Sequence, residues 1–137
     1  MLKRFQGKIE TKQVDITKLS AHNALRVHAQ VIKFISGSVN EIVKGIGKDD
    51  VAQAEYLGSA VSKAFSDNGS VEELISFITS NLTDGNVIVD GQRVTHLDDL
   101  ERFDDVDGSE LMYAIFGEWV KLNLGGMLKK IGNQFAG

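Results

Sequence analysis

Along most of this chain the apolar residues recur at the three-and-four spacing of helices that bury one side. The most apolar such run covers residues 107–131, DGSELMYAIFGEWVKLNLGGMLKKI. Leu111, Ile115, Trp119 and Leu122 follow one another at helical intervals, with Met112, Phe116, Val120 and Met127 beside them. Asp107 is placed to cap the run and Glu110 adds an acidic first turn, which the positive end of the helix dipole favours. Gly125 and Gly126 each weaken a helix by about 1 kcal/mol relative to Ala, which predicts a bend or break before a last turn holding Leu128 and Ile131.

Shorter helices are predicted upstream. Over residues 21–35 the apolar face is Ala24, Leu25, His28, Val31, Ile32 and Ile35, opposite His22, Arg26, Gln30 and Lys33, with Ser20 as N-cap. Ser38 and Glu41 form a capping box before Val39, Ile42, Val43 and Ile46. Asp49 or Asp50 opens a third helix with Val51, Ala54, Leu57, Val61, Ala64 and Phe65 at helical spacing. Ser70 and Glu73 form a further capping box ahead of Leu74, Ile75, Phe77, Ile78 and Leu82, and the turn residues 83–86 stop that helix. Leu97, Leu100, Phe103 and Val106, at threes, predict a short helix or a single helical turn.

Strand signals are fewer. Val87, Ile88 and Val89 lead into Asp90-Gly91 and then Gln92, Arg93 and Val94, a two-residue hairpin that sets Val87 opposite Val94 and Ile88 opposite Arg93. Residues 5–16 alternate imperfectly at Ile9, Val14 and Ile16 and predict a short edge strand. An isolated hairpin is marginal in water, so it must lie on the helices or pair with that N-terminal strand. The reading is a mainly α fold: a single domain over residues 1–137, with five or six helices and one small β-hairpin that the N-terminal strand can join.

Composition narrows the function classes. A chain of 137 residues suits one domain. There is no cysteine, which excludes disulfides, thiolate metal sites and a cysteine nucleophile. No apolar run approaches the roughly 20 residues of a membrane span, and MLKRFQGKIETK has no signal-peptide core, so a cytoplasmic protein without membrane contact is expected. The net charge of -4 conceals an asymmetry: residues 1–48 hold nine Lys or Arg against three acids, whereas residues 49–118 hold three against sixteen. Such a dipole can steer a charged partner or favour head-to-tail self-association, though charged faces kept solvated for solubility are the favoured reading. Nucleic acid is not expected, because the basic part lacks interleaved aromatics and the whole chain is acidic.

Candidate chemistry does not assemble. Asp105, Asp107 and Gly108 match positions of a calcium loop, but Phe103 stands at the first ligand position and Ala114 at the bidentate one. Gly45, Gly47 and Lys48 resemble the end of a phosphate loop without its upstream glycine, and Asp49 replaces the hydroxyl. His22, His28 and His96 have no metal or triad spacing, and His28 on an apolar face suits a hydrogen-bonded, half-buried residue. The carboxylates of residues 98–110 suit solvation and capping unless a pocket gathers them. No catalytic, cofactor-binding or metal-binding residue is assigned, and an enzyme is the lesser reading.

Three stretches carry a resemblance. VDITKLSAHNALRVHAQVIKFI at 14–35, VIVDGQRV at 87–94 and FDDVDGSELMYAIFGEWVKLNLGG at 103–126 together resemble the tail assembly chaperones of long-tailed bacteriophages: a strand, turn and first helix, a polar hairpin, and a closing helix that ends in an aliphatic, Asn and Gly. Leu124, Met127 and Leu128 stand where aromatics are common in that family. The resemblance implies a non-enzymatic protein of the infected host's cytoplasm, needing no cofactor, that binds the tape measure protein and promotes assembly of the tail tube around it. It also implies that a longer frameshifted product can recruit the tail tube protein. An acidic regulatory or inhibitor protein and a small enzyme are the alternatives. The final 22 residues hold more apolar surface than one helix face buries, so Phe116, Trp119, Leu124, Met127, Leu128 and Phe135 are the candidate protein-binding residues, shared between client and homo-oligomer. For Phe116 and Trp119 the domain's own core is the slightly favoured reading.

Overall fold

Alternation at Phe5, Gly7 and Ile9, and again at Val14 and Ile16, folds the start of the chain into two strands, β1 (Arg4–Ile9) and β2 (Lys12–Thr17). The computed structural model describes residues 4–35, 61–64, 66, 67 and 69–136, with 32–35 and 128–136 as backbone alone. Among them β1 and β2 join β3 (Val87–Val89) and β4 (Gln92–Arg93) in a four-stranded antiparallel sheet of order β1-β2-β3-β4. The mainly helical reading with one small hairpin is corrected by this sheet: the fold is mixed α/β, and β2 is an interior strand rather than an edge.

The register shows why the sheet holds. Gly7 pairs with Val14 and Val14 with Val89, while Phe5 pairs with Ile16 and Ile16 with Val87. These rows share one face, and Val14, Ile16, Val87 and Val89 are all fully buried on it. The Asp90-Gly91 turn has positive φ at both residues, 49° and 80°, as a type I′ hairpin requires, and Ile88 pairs with Arg93 as the spacing predicts. The first hairpin turns instead at Glu10-Thr11, with Glu10 at φ 57°. A glutamate seldom adopts that conformation, so nothing in the sequence marks the turn.

Helices cover the buried face. α1 (Ala21–Ile35) has the predicted boundaries, and α2 (Val71–Leu82) opens with Ser70, whose hydroxyl accepts from Glu73 N at 3.1 Å. A 3-10 helix, Leu97–Arg102, and the long α3 (Gly108–Ala136) complete the described elements. α3 packs against β1, the 3-10 helix and α1. The helix expected around Val39, Ile42, Val43 and Ile46 lies outside the described residues; of the next one, residues 61–64 are helical, with Val61 and Ala64 buried.

Two helical readings are corrected. The buried side of α1 is set by Val27 and Val31, and Leu25, two positions and so about 160° from Val27, is 70% exposed. α3 runs without interruption through Gly125 and Gly126, where a Cβ would meet nothing within 4 Å. Packing therefore does not demand glycine there, and the helix tolerates both at about 1 kcal/mol each.

The interior position of β2 is testable. Ile16→Ala should cost about 2–5 kcal/mol in denaturant unfolding; a loss under roughly 1 kcal/mol would return β2 to a solvent-facing edge.

Candidate functional site

α3 begins at a well-made cap. Asp107 Oδ1 accepts from Ser109 N at 2.9 Å and Glu110 N at 3.0 Å, so the carboxylate satisfies two amides that a helix start leaves open. A Cβ on Gly108 would come within 2.8 Å of Glu101 Cγ, so glycine lets α3 start hard against the 3-10 helix. From there Leu111, Ile115, Phe116, Trp119, Val120 and Leu124 are all buried. Phe116 and Trp119, one helical turn apart, stack at 5.9 Å and 12°, and the Phe77 ring of α2 stands edge-on to both, at 6.2 and 5.7 Å.

The candidate binding residues thus fall into groups. Phe116, Trp119 and Leu124 lie in the core of the chain itself. Met127 is partly buried and packs on that core from its rim. Leu128 and Phe135 lie on the helical backbone of α3 but their side chains are outside the described residues. Exposed large apolar side chains occur elsewhere, at Leu25, Val71, Ile75 and Tyr113.

Asn123 is the polar centre of this packing. Its Oδ1 accepts from Leu19 N at 2.9 Å, its Nδ2 donates to Trp119 O at 3.1 Å, and its carbonyl receives His28 Nε2 at 3.1 Å. His28 must therefore carry its proton on Nε2. Trp119 Nε1 is buried without a hydrogen-bond partner among the described residues, a loss of about 1–3 kcal/mol that the ring's apolar contacts offset.

The acidic stretch before α3 is largely occupied by the chain itself. Lys12 Nζ lies 2.7 Å from Asp105 Oδ1 and 3.9 Å from Asp90 Oδ2, and sits 4.4 Å from the centre of the Phe103 ring. Thr11 Oγ1 donates to Asp105 Oδ2 at 2.6 Å. Lys12, and then Thr11, hold the Asp105 carboxyl down at about 2. Asp99 Oδ2 accepts from Thr95 N, Thr95 Oγ1 and His96 N, each at 3.1 Å, and the Thr95 amide leads the causes that lower its pKa. Two turns, Glu10-Thr11 and Asp90-Gly91, are in this way tied to the lead-in of α3.

An open groove lies between α1 and α2, lined mostly by residues that look merely polar and exposed in the sequence. Its signal is the spacing of Asn23, Arg26 and Gln30 opposite that of Glu72, Ser76 and Ser80, which becomes a feature only once the two helices are side by side. None of these arrangements gathers a nucleophile with a base. Among the described residues no group of three His, Cys, Asp or Glu could hold a metal ion, and no helix is long and apolar enough to cross a membrane.

The family model described as "Phage tail assembly chaperone protein, TAC" matches residues 10–136 of the chain. No curated protein and no solved structure matches it.

The Lys12 contact makes a prediction about acid. A carboxyl depressed from 3.8 to about 2 adds stability that is present above 3.8 and disappears as pH falls towards 2. Lys12→Met should therefore lower the thermal midpoint at neutral pH, with the gap to the unmodified chain closing as pH approaches about 2. Asp105 is exposed, so added salt should shrink the gap as well. A gap that is constant across this range would show that charge contributes nothing to the contact.

Proposed function

Because the chain belongs to the phage tail assembly chaperone family, we propose that it binds the tape measure protein through apolar helical surface and promotes polymerisation of the tail tube around it. The observation that carries this reading is the match over residues 10–136, nearly the whole chain. The physics is consistent with it. A tape measure is a long helical chain, and a protein that keeps it soluble needs adaptable apolar surface more than a reactive centre. On this reading the protein is not an enzyme, needs no cofactor and works in the host cytoplasm, and a longer frameshifted product brings the tail tube protein to the same complex.

The contact surface we assign to the client lies at the C-terminal part of α3: Met127, Leu128 and Phe135, with Phe116, Trp119 and Leu124 as the buried base that fixes the helix beneath them. Methionine and leucine repack easily, which suits a client whose successive segments differ. The same surface is shared with a second copy of the chain, making a homo-oligomer the resting form. An acidic inhibitor mimicking nucleic acid has less support, since Asp90 and Asp105 face Lys12 while Asp99 and Asp107 serve as caps.

Co-expression with the tape measure protein should give a complex that co-purifies and stays soluble; independent purification of the two, with the solubility of neither changed, sinks the proposal. The double change Met127→Ser and Leu128→Ser should keep the helical signal, cost no more than about 2 kcal/mol of stability, and weaken client or self-association at least about tenfold. If the double variant unfolds, these residues are core. If it folds and keeps both associations, the surface lies elsewhere.

A further inference from the structure

α1 and α2 stand apart on the side of the molecule that carries Arg26 and Glu72, leaving an open groove of about 580 Å³. Its floor is mainly apolar: Val27 and Phe77 line it together with the polar Asn81, all three nearly fully buried, so each shows the groove only a small part of its surface. Its rim is acidic. Glu72, Glu73 and Asp84 against Arg26 leave a balance of -2. Among the described residues no cation of the chain pairs with these three carboxylates, so their charge is available to a partner. The acidic residues bracket α2, whose span from Glu72 to Leu82 is about 15 Å at helical rise, or roughly three turns of a bound helix, with Asp84 just past its end.

The geometry points to this groove as the docking site for a cationic amphipathic helix of the client, its apolar stripe on Val27 and Phe77 and its Lys or Arg side chains against Glu72, Glu73 and Asp84. The identity of the partner rests on the chaperone reading; the chemistry of the helix rests on the groove. Opposite charge along the rim sets orientation and speeds encounter, while the apolar floor supplies a helix-in-groove contact. Nucleic acid is repelled by the same carboxylates. A second copy of the chain offers long lysine-bearing stretches without acids at residues 16–40, which include α1, itself one wall of the groove with Val27 and Val31 buried, and at residues 119–137, where Trp119, Val120 and Leu124 are already buried in their own core. The groove is separate from the surface assigned on α3, so the protein holds its client at two places.

The test is fluorescence anisotropy on the full chain with three labelled peptides: a Leu/Lys amphipathic helix of about 18 residues, the same peptide with Glu for Lys, and residues 119–137 of this chain. The Leu/Lys peptide should bind, more weakly as salt rises, and the Leu/Glu peptide should bind at least about tenfold less tightly. The double variant Glu72→Gln with Asp84→Lys, which turns the rim balance from -2 to +1, should reduce binding of the Leu/Lys peptide by a similar factor, and Arg26→Gln should tighten it. Ser76→Trp, at an exposed position in the groove wall, should block binding with circular dichroism unchanged. Equal binding of the two designed peptides, or indifference to all three variants, overturns the proposal. Preference for residues 119–137 over the Leu/Lys peptide makes a second copy the occupant and overturns it too. Failure of the peptides while the tape measure protein still co-purifies removes the groove and leaves the chaperone reading standing. Peptide binding without co-purification removes the client as its occupant.

Discussion

A buried amide must find partners for both its ends, and the one on Asn123 finds them at Leu19 N and Trp119 O. It receives the backbone at Leu19, just where β2 hands over to α1, and its own residue's carbonyl takes the His28 proton from within α1. Sliding α3 by a turn against α1 would break both contacts and leave the Leu19 amide without a partner, at about 1–3 kcal/mol. The amide therefore does what apolar packing alone does poorly: it selects one register among several that would bury similar area. The position of the aromatic trio Phe77, Phe116 and Trp119 follows from that register, because two of its rings sit within the preceding two turns of the same helix.

What could be read in the sequence was what local chemistry decides. Ser70 caps α2, Asp107 caps α3 and Asp90-Gly91 turns a hairpin because each signal lies within a few residues of the structure it makes. The sheet was not legible for the opposite reason. Gly7 occupies an inward position where an apolar side chain would have completed the alternation, and Glu10 makes its turn in a conformation that glutamate seldom adopts. Nor does periodicity fix the angle of a helix about its axis: Leu25 and Val27 both suit an apolar face, and only contact with the rest of the chain decided for Val27. Of the candidate interaction surface, the apolar excess of the final segment was visible but not its division between core and rim, which depends on what α2 brings alongside. The groove between α1 and α2 depends on two segments about fifty residues apart, and no window of sequence contains it.

Charge separation along the chain takes a different meaning in three dimensions. Lys12 comes from the basic first third and lies between Asp90 and Asp105 of the acidic middle. Part of the linear dipole is thereby cancelled inside the molecule, at the end of the sheet where the inward face runs out of apolar residues. Among the described residues no cation pairs with the carboxylates of Glu72, Glu73 and Asp84, which leaves their field to solvent and to whatever approaches α2.

The pairing of Val14 with Val89 spans 75 residues, 89 less 14, and that separation bears on how the protein is made. At the pace of synthesis, about 5–20 residues per second, the hairpin of β1 and β2 leaves the ribosome roughly 4–15 seconds before the strand that closes it. Through that interval β2 has an unpaired edge, and the side chains of Val14 and Ile16 have neither β3 beside them nor α3 above. A strand in that condition is open to wrong partners, including the same strand of a neighbouring nascent chain. On a crowded message the protein thus passes, briefly and at high local concentration, through a state of its own that invites misassembly.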